Sequence, residues 1–495
     1  MFITIQNLAP EIILCAGALL ILCVDAFFHK IKKYFLGLAA WMCTFLSFLS
    51  LYFLTGTGKN AVIFQGSYST DGFALFCKAL ILIAGSVILL FSIAYVYRNI
   101  HYKTEFFALI LFSLMGMCVL VSSTDLILII LAFEFVSIPS YILVGYYRDD
   151  IKSKEASLKY FLFGTVSAAI LIMGSSILYG LTGETNIYHI AQALAGTGDV
   201  LIPGYKWLAL LALVLAGAGF GFKIGMFPFQ MWVPDVYEGA PTPVTAFLAV
   251  GSKTAGIAIL LRFFFVVFKN NIPINWCAIL LVLSIITMFT GNLMAISQKN
   301  IKRMLGYSSI AHVGYILAGI VGIYHYTQTG NMFSVSPILI YLTAYVYMNL
   351  GAFAVVILAE DMTGDKIEGY AGMGTRYPLL AFMLTVFLLS LAGLPPLAGF
   401  IGKFFIFGEI VNASYYLLVI LAVLNSVISV YYYFRIVHFM YFVSPPEGDK
   451  KPVYSYSILT LAAMYICFAG TIFMGIKPDW IVDLASRALI IIDLR

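Results

Sequence analysis

The sequence predicts an all-α polytopic membrane protein of about fourteen transmembrane helices, arranged as two inverted five-helix repeats, spans four to eight and spans nine to thirteen. Three observations carry this prediction. Of 495 residues, 62% are hydrophobic and 10% charged, whereas charged residues make up about a quarter of an ordinary soluble domain. Apolar runs of about 20 residues, long enough to cross a bilayer, recur along the whole chain. Two longer runs are interrupted by Gly and Pro beside a lysine, the mark of discontinuous helices at a transport site. The mean hydropathy of +0.99 excludes a soluble globular enzyme. The net charge of +5 collects in short loops, as membrane topology requires, and calls for no nucleic-acid partner.

The first run, 8–28, follows MFITIQN, which has neither a basic n-region nor a small-residue cleavage site, and reads as a retained first span. Further spans are expected at 35–55, 73–97, 105–122, 125–147, 155–181, 207–237 with a break, and 243–268. The rest are expected at 275–297, 304–324, 336–359, 377–412 with a break, 413–442 and 455–476. These group into an N-terminal unit (1–104), a first repeat (105–268), a second repeat (274–443) and a C-terminal loop, span and tail (444–495).

Basic residues set the expected orientation. Lys30, Lys32, Lys33, Arg98, Lys103, Arg148, Lys152, Lys154, Lys299, Lys302, Arg303, Lys366, Arg376, Lys450 and Lys451 follow odd-numbered spans. The opposite connections carry chiefly Lys59, Lys206 and Lys269. The positive-inside rule places the first set in the cytoplasm and both termini outside.

Within this frame the stretch from Gly217 to Lys253 is unusual. Lys223 sits about halfway across span seven, with Gly225 and Pro228 breaking the helix beside it. A polar loop with Pro234, Asp235, Glu238, Pro241 and Pro243 follows, and Lys253 lies about ten residues into span eight. A charged residue at a helix centre costs about 2.5–3.5 kcal/mol on insertion scales, which makes each such lysine a functional candidate. Span twelve repeats the device, with Pro395, Pro396, Gly399 and Gly402 just ahead of Lys403.

Glu134, deep in span five above Pro139, needs a partner, and Lys223 is the expected one. A static ion pair that ties helices together is the competing reading. His312, in YSSIAHVGY of span ten, can relay protons between the repeats, with Ser308, Ser309 and Asn349 placed to hold water near it, or can simply be bonded within the bundle. Lys159 lies only about four residues into span six, where snorkelling to the headgroups competes with a transport role. Glu409 is read as interfacial, and Arg262, Arg435, Asp25 and Glu105 as anchors near span ends. The cysteines at 15, 23, 43, 77, 118, 277 and 467 form no CxxC pair and suggest neither an iron–sulfur site nor a disulfide framework.

The segments PDVYEGAPTPVTAFL with the following SK, GFK, AFEF, KYFLFG, YSSIAHVGY and GLPPLAGFIGKFFIF together resemble the antiporter-like membrane subunits of proton-pumping NADH:quinone oxidoreductase, respiratory complex I, over nearly the whole chain. Within that family they are most similar to the subunit N group. Subunits L and M and the large subunits of multisubunit cation/proton antiporters share the architecture, as does the photosynthetic counterpart of N. The resemblance implies a proton-translocating subunit with no cofactor of its own, in a complex that carries FMN, iron–sulfur clusters and quinone. It implies Glu134 and Lys223 as a coupling ion pair, Lys253 as central relay, His312 as part of a hydrophilic axis and Lys403 as the terminal proton carrier. It further implies a bacterial inner membrane, neighbouring subunits of the M and K types, and an indirect link to the hydrophilic redox arm.

Desolvation weakens proton binding by an ammonium and a nearby carboxylate strengthens it, so moving one charge can toggle the other. Driving a proton across about 180 mV needs about 4 kcal/mol, at about 2.3 kcal/mol per 100 mV. The chain has no GxxxxGK[ST] nucleotide motif, so a partner must supply that energy. The competing classes are a subunit of a cation/proton antiporter and a non-pumping structural subunit.

Overall fold

A computed structural model describes residues 6–28, 32–55, 61–100, 103–196, 205–268, 276–328, 334–445 and 457–488. Thirteen helical segments among them are long and apolar enough to cross a membrane. The first six are α1 (Ala9–Phe27), α2 (Lys33–Thr55), α3 (Gly72–Asn99), α4 (Lys103–Ser122), α5 (Leu126–Val144) and α6 (Ile151–Thr182). Span seven is α7 (Tyr205–Ile224) followed by α8 (Trp232–Gly239), and span eight is α9 (Thr242–Phe247), a π turn at Leu248–Ser252 and α10 (Lys253–Val267). Then come α11 (Trp276–Ile296), α12 (Ile301–Gln328) and α13 (Ser336–Thr363). Span twelve is split into α14 (Pro378–Ala392) and α15 (Ala398–Asn412), and α16 (Tyr416–Phe442) and α17 (Ile458–Ile476) complete the set. The fourteen expected spans are thus present, the split one counted as a pair. Lys30, Lys59, Lys269, Lys450, Lys451 and the outermost residues of both termini lie outside the described residues.

Local chemistry sets the helix ends. Asp71 caps α3 by accepting from Ala74 N at 2.8 Å, Asp125 caps α5 from Ile127 N at 2.9 Å, and Asp150 caps α6 from Lys152 N at 3.0 Å. Each carboxylate satisfies amides that the helix itself leaves unpaired. The Pro234 loop expected after span seven is instead mostly helical, with a 3₁₀ turn at Phe229–Met231 leading into α8. Pro234 falls in the first turn, where a missing amide hydrogen costs little.

Lateral position follows from side-chain polarity. Every residue from Thr242 to Val267 is buried, so the helix that carries Lys253 is the centre of the bundle. On α16 a stripe of Leu417, Ile420, Leu424, Val427, Tyr431 and Phe434 points outward, as suits contact with lipid tails or a neighbouring apolar subunit. A short hairpin, β1 (Ala61–Ile63) paired antiparallel with β2 (Tyr68–Thr70), joins α2 to α3. It carries Tyr68 inward, where its hydroxyl donates to Glu11 Oε1 at 2.8 Å beside the buried Lys78–Glu11 ion pair, also 2.8 Å.

Candidate functional site: a buried polar row

Lys223 is the penultimate residue of α7 and is 1% exposed. The chain turns immediately afterwards at Gly225, whose φ of +76° is open to glycine and strained for other residues. The turn leaves the Lys223 ammonium pointing at α5, where Nζ donates to Ser137 Oγ at 2.9 Å and lies 5.2 Å from the Phe133 ring centre. The direct Glu134–Lys223 pair expected from the sequence is not formed. Ser137, one turn further along α5, occupies the inward face and takes the ammonium. Glu134 lies at the edge of the outward face that presents Leu131, Phe135 and Ile138, and its Oε1 is buried without a hydrogen-bond partner. The carboxylate and the ammonium therefore interact only through space, as unpaired charges.

Lys253 opens α10 directly after the π turn, an irregularity that often marks functional positions in helices. Its ammonium donates to Ser309 of α12 and lies 5.8 Å from the Tyr237 ring centre. The space a side chain at Gly225 would fill is 3.7 Å from this ammonium, so the break in span seven also brings its backbone up to Lys253. Lys253 makes no ion pair among the described residues.

From Ser309 the row runs through α12. Its neighbour Ser308 is hydrogen-bonded to the Tyr433 hydroxyl of α16, which is 3.3 Å from His312 Nε2. His312 Nδ1 pairs with the hydroxyl of Tyr341 on α13. His312 is 2% exposed, and both ring nitrogens face phenols, with no carboxylate in contact among the described residues. One turn away, the Tyr315 ring lies 5.0 Å beneath the Lys403 ammonium.

Lys403 sits in the first turns of α15, after a break that mirrors the first. Gly393, at φ +91°, ends α14, and a Cβ there would meet Lys403 Cδ at 2.8 Å. The Lys403 ammonium donates to Ala392 O at 2.7 Å and Ser426 Oγ at 2.8 Å. Asn292, Asn425 and Tyr432 extend the row on the far side of Tyr315, bonded at 3.0–3.3 Å. Each half of the bundle thus has a helix interrupted by a left-handed glycine, packed against a buried lysine.

Other expected positions fall elsewhere. Lys159 reaches an ion-pair network at the end of the bundle, pairing with Asp235 at 2.7 Å and Glu155 at 2.6 Å, while Arg303 binds Asp235 at 2.6 Å and Glu238 at 3.0 Å. Arg262 is not an interfacial anchor: it is wholly buried and grips Asp71 through two bonds of 2.7 and 2.8 Å. Arg435 donates to the carbonyl of Ile296 at 2.6 Å, which caps α11. Glu409 is half-buried towards the end of α15. Asn349 is buried with both side-chain polar atoms unpartnered, as a water site would leave it. Sequence reading missed Ser137, Tyr341, Ser426 and Tyr433, since single hydroxyls within apolar runs are ordinary. Their only signal is position, one or two turns from a mid-span charge.

A multi-pass helical bundle threaded by buried lysines, a histidine and hydroxyls defines the class of ion-translocating membrane proteins. The family described as NADH:quinone oxidoreductase/Mrp antiporter, transmembrane, matches residues 123–429. NADH-quinone oxidoreductase subunit N of Trichlorobacter lovleyi is 40% identical over 491 residues, covering 98% of this chain and 97% of that one. A chain of respiratory complex I from Thermus thermophilus superposes with a TM-score of 0.78 at 30% identity, covering 96% of this chain and 99% of that one. A chain of the Mrp complex from Dietzia sp. DQ12-45-1b shares the fold, with a TM-score of 0.82 at 17% identity over 98% and 97% of the two chains. The chain belongs to the NADH:quinone oxidoreductase/Mrp antiporter transmembrane family, in its subunit N branch.

Proposed function

We propose that this chain is the proton-translocating membrane subunit of an NADH:quinone oxidoreductase, coupling electron transfer elsewhere in the complex to proton movement through its own buried row. The observation that carries the reading is the succession Lys223, Lys253, His312 and Lys403, each buried and bonded to hydroxyls or a carbonyl. Three ammonium groups held without a direct counter-ion among the described residues respond strongly to charges moving nearby. At an effective dielectric of about 20, a unit charge about 8 Å away acts with about 2 kcal/mol. Two such shifts amount to the roughly 4 kcal/mol needed to lift a proton against about 180 mV.

Glu134 biases the charge on Lys223, Lys253 receives the next proton, and the Ser308–Tyr433–His312–Tyr341 cluster passes it towards Lys403. Lys403 releases it on the far side. Spans four to eight and nine to thirteen act as inverted repeats, supported by the matching glycine–lysine breaks. Redox groups, FMN, iron–sulfur clusters and the quinone site belong to other subunits. Neighbours of the M and K types contact the apolar faces, and the membrane is the bacterial inner membrane with the lysine- and arginine-rich end of the bundle in the cytoplasm.

The test is reconstitution in two forms. The assembled complex should pump protons when NADH reduces quinone, and Lys253→Arg should abolish most of that pumping with assembly intact. The chain alone in liposomes should not exchange sodium for protons; robust exchange would move it to the antiporter class.

A further inference from the structure

At the basic end of the bundle, away from the buried row, a cavity of about 140 Å³ opens between α3, α13 and α17. Its polar lining comes from Tyr95, Arg98 and Asn99 of α3, Glu360 and Asp361 of α13, and Ser457 with Thr460 at the start of α17. That volume accommodates several water molecules, and the lining offers each the two or more polar partners it needs. Arg98 and Asp361 pair at its half-exposed rim.

Glu360 is the group that links this cavity to the interior. Its Oε1 accepts from Thr242 Oγ1 at 3.0 Å and from the Tyr95 hydroxyl at 3.5 Å, and that hydroxyl is itself 2.6 Å from Tyr147 OH. Its Oε2 is buried without a protein partner. Neither oxygen is held in an ion pair among the described residues, although Lys302 of α12 pairs nearby with Asp365 at 3.1 Å. A half-satisfied carboxylate is a poor structural element, because an orphaned buried oxygen forfeits about 1–3 kcal/mol. It suits a group that binds and releases a proton from water.

Two helices lead inward from it. Thr242 opens α9, which leads through the π turn to Lys253, with Thr245 one turn on and Ser252 just before the lysine. The Ser252 hydroxyl is buried beside the Tyr160 hydroxyl. On α13, Glu360, Asn349, Tyr345 and Tyr341 recur at spacings of eleven, four and four residues, which puts them on one face. Asn349 has buried polar atoms without a protein partner, the Tyr345 hydroxyl lies beside Ser309, and Tyr341 is bonded to His312. Both helices run from the cavity towards the row.

We infer that Glu360 is the proton-loading carboxylate of an intake port, collecting protons from the hydrated cavity and delivering them by way of Thr242 towards Lys253. The step is a proton transfer alone: water in the cavity protonates the carboxylate, and the carboxylic acid gives that proton to the next hydroxyl or water inward. The groups around it are Tyr95 and Arg98 from α3, Tyr147 after α5, Thr242 from α9, Lys302 from α12, Asp361 beside it and Asp365 just beyond α13.

The inference rests on the proposed function, and its test separates the two. In inside-out vesicles, where the basic end faces the medium, pumping per assembled complex is measured against pH for Glu360→Gln, Glu360→Asp and Lys253→Arg. A loading carboxylate predicts that Glu360→Gln slows pumping about tenfold, with a residual rate that falls as the medium is made alkaline, because inner groups must then be protonated directly. Glu360→Asp should keep most of the activity and a flat profile. Wild-type rates for Glu360→Gln at every pH, or a loss that is the same at all pH and shared by Glu360→Asp, would overturn the port while a defect in Lys253→Arg left the pumping function standing. Normal pumping by Lys253→Arg would overturn that function itself.

Discussion

At the scale of single residues, the chemistry turns on what each buried ammonium touches. Lys403 donates to a carbonyl and a hydroxyl and has no carboxylate to balance it among the described residues. A glutamic acid at this position can, like lysine, hold and lose a proton; arginine fills the site but does not deprotonate in proteins. Among assembled variants, Lys403→Glu should retain more proton pumping than Lys403→Arg, and Lys403→Ala should retain little. A pure charge anchor gives the reverse order, with arginine mildest. Glu134 makes no ion pair with Lys223, so its influence on that ammonium is electrostatic, without direct bonding. Glu134→Gln should therefore assemble normally and lose most pumping and tightly coupled electron transfer; loss of assembled complex on native gels would point to a structural role.

At the scale of elements, the breaks hold the lysines in place. Gly393 needs its left-handed backbone, and an added Cβ would also press on Lys403. Gly183, at φ +71°, has nothing within 4 Å of the same added atom. Alanine at either position carries a backbone cost of about 1–2 kcal/mol, but only at Gly393 does it move a lysine. Gly393→Ala should impair pumping in assembled complex by severalfold, and Gly183→Ala should leave it near wild type; equal effects at both would mean that backbone strain alone matters.

The Asp71–Arg262 pair fastens α3 to α10 where no solvent reaches. Removing Arg262 alone strands a buried carboxylate, a change that costs about 3–5 kcal/mol in comparable pairs. Arg262→Leu should lower the thermal stability of the solubilised complex, and Asp71→Asn with Arg262→Leu should recover part of it. Those losses are read by thermal denaturation, with pumping per surviving complex unchanged.

At the scale of the whole molecule, one bundle combines an apolar exterior with a polar interior row. The spans were readable because each needs about 20 apolar residues, and the broken ones because Gly and Pro stand beside a charge. Lys223, Lys253, His312 and Lys403 were visible for the same reason: a titratable group deep in an apolar run is costly enough to stand out. Their partners were not visible. Which hydroxyl meets which lysine depends on helix packing, so Ser137 took the place expected of Glu134, and Tyr341 and Tyr433 emerged only beside His312. Arg262 looked like an anchor because it lies near a span end, and only the contact with Asp71 reveals its burial. The π turn before Lys253 left no mark in composition.

Proton exchange at the buried lysines is most directly open to test at Lys223, where arginine preserves charge and reach while removing the exchange. Protons pumped per electron are to be measured in inside-out vesicles for Lys223→Arg, normalised to assembled complex. The expected result is an assembled complex that has lost most of its pumping, since one proton-transfer group contributes about 10²–10⁴-fold to a rate. Wild-type stoichiometry in that variant would contradict it.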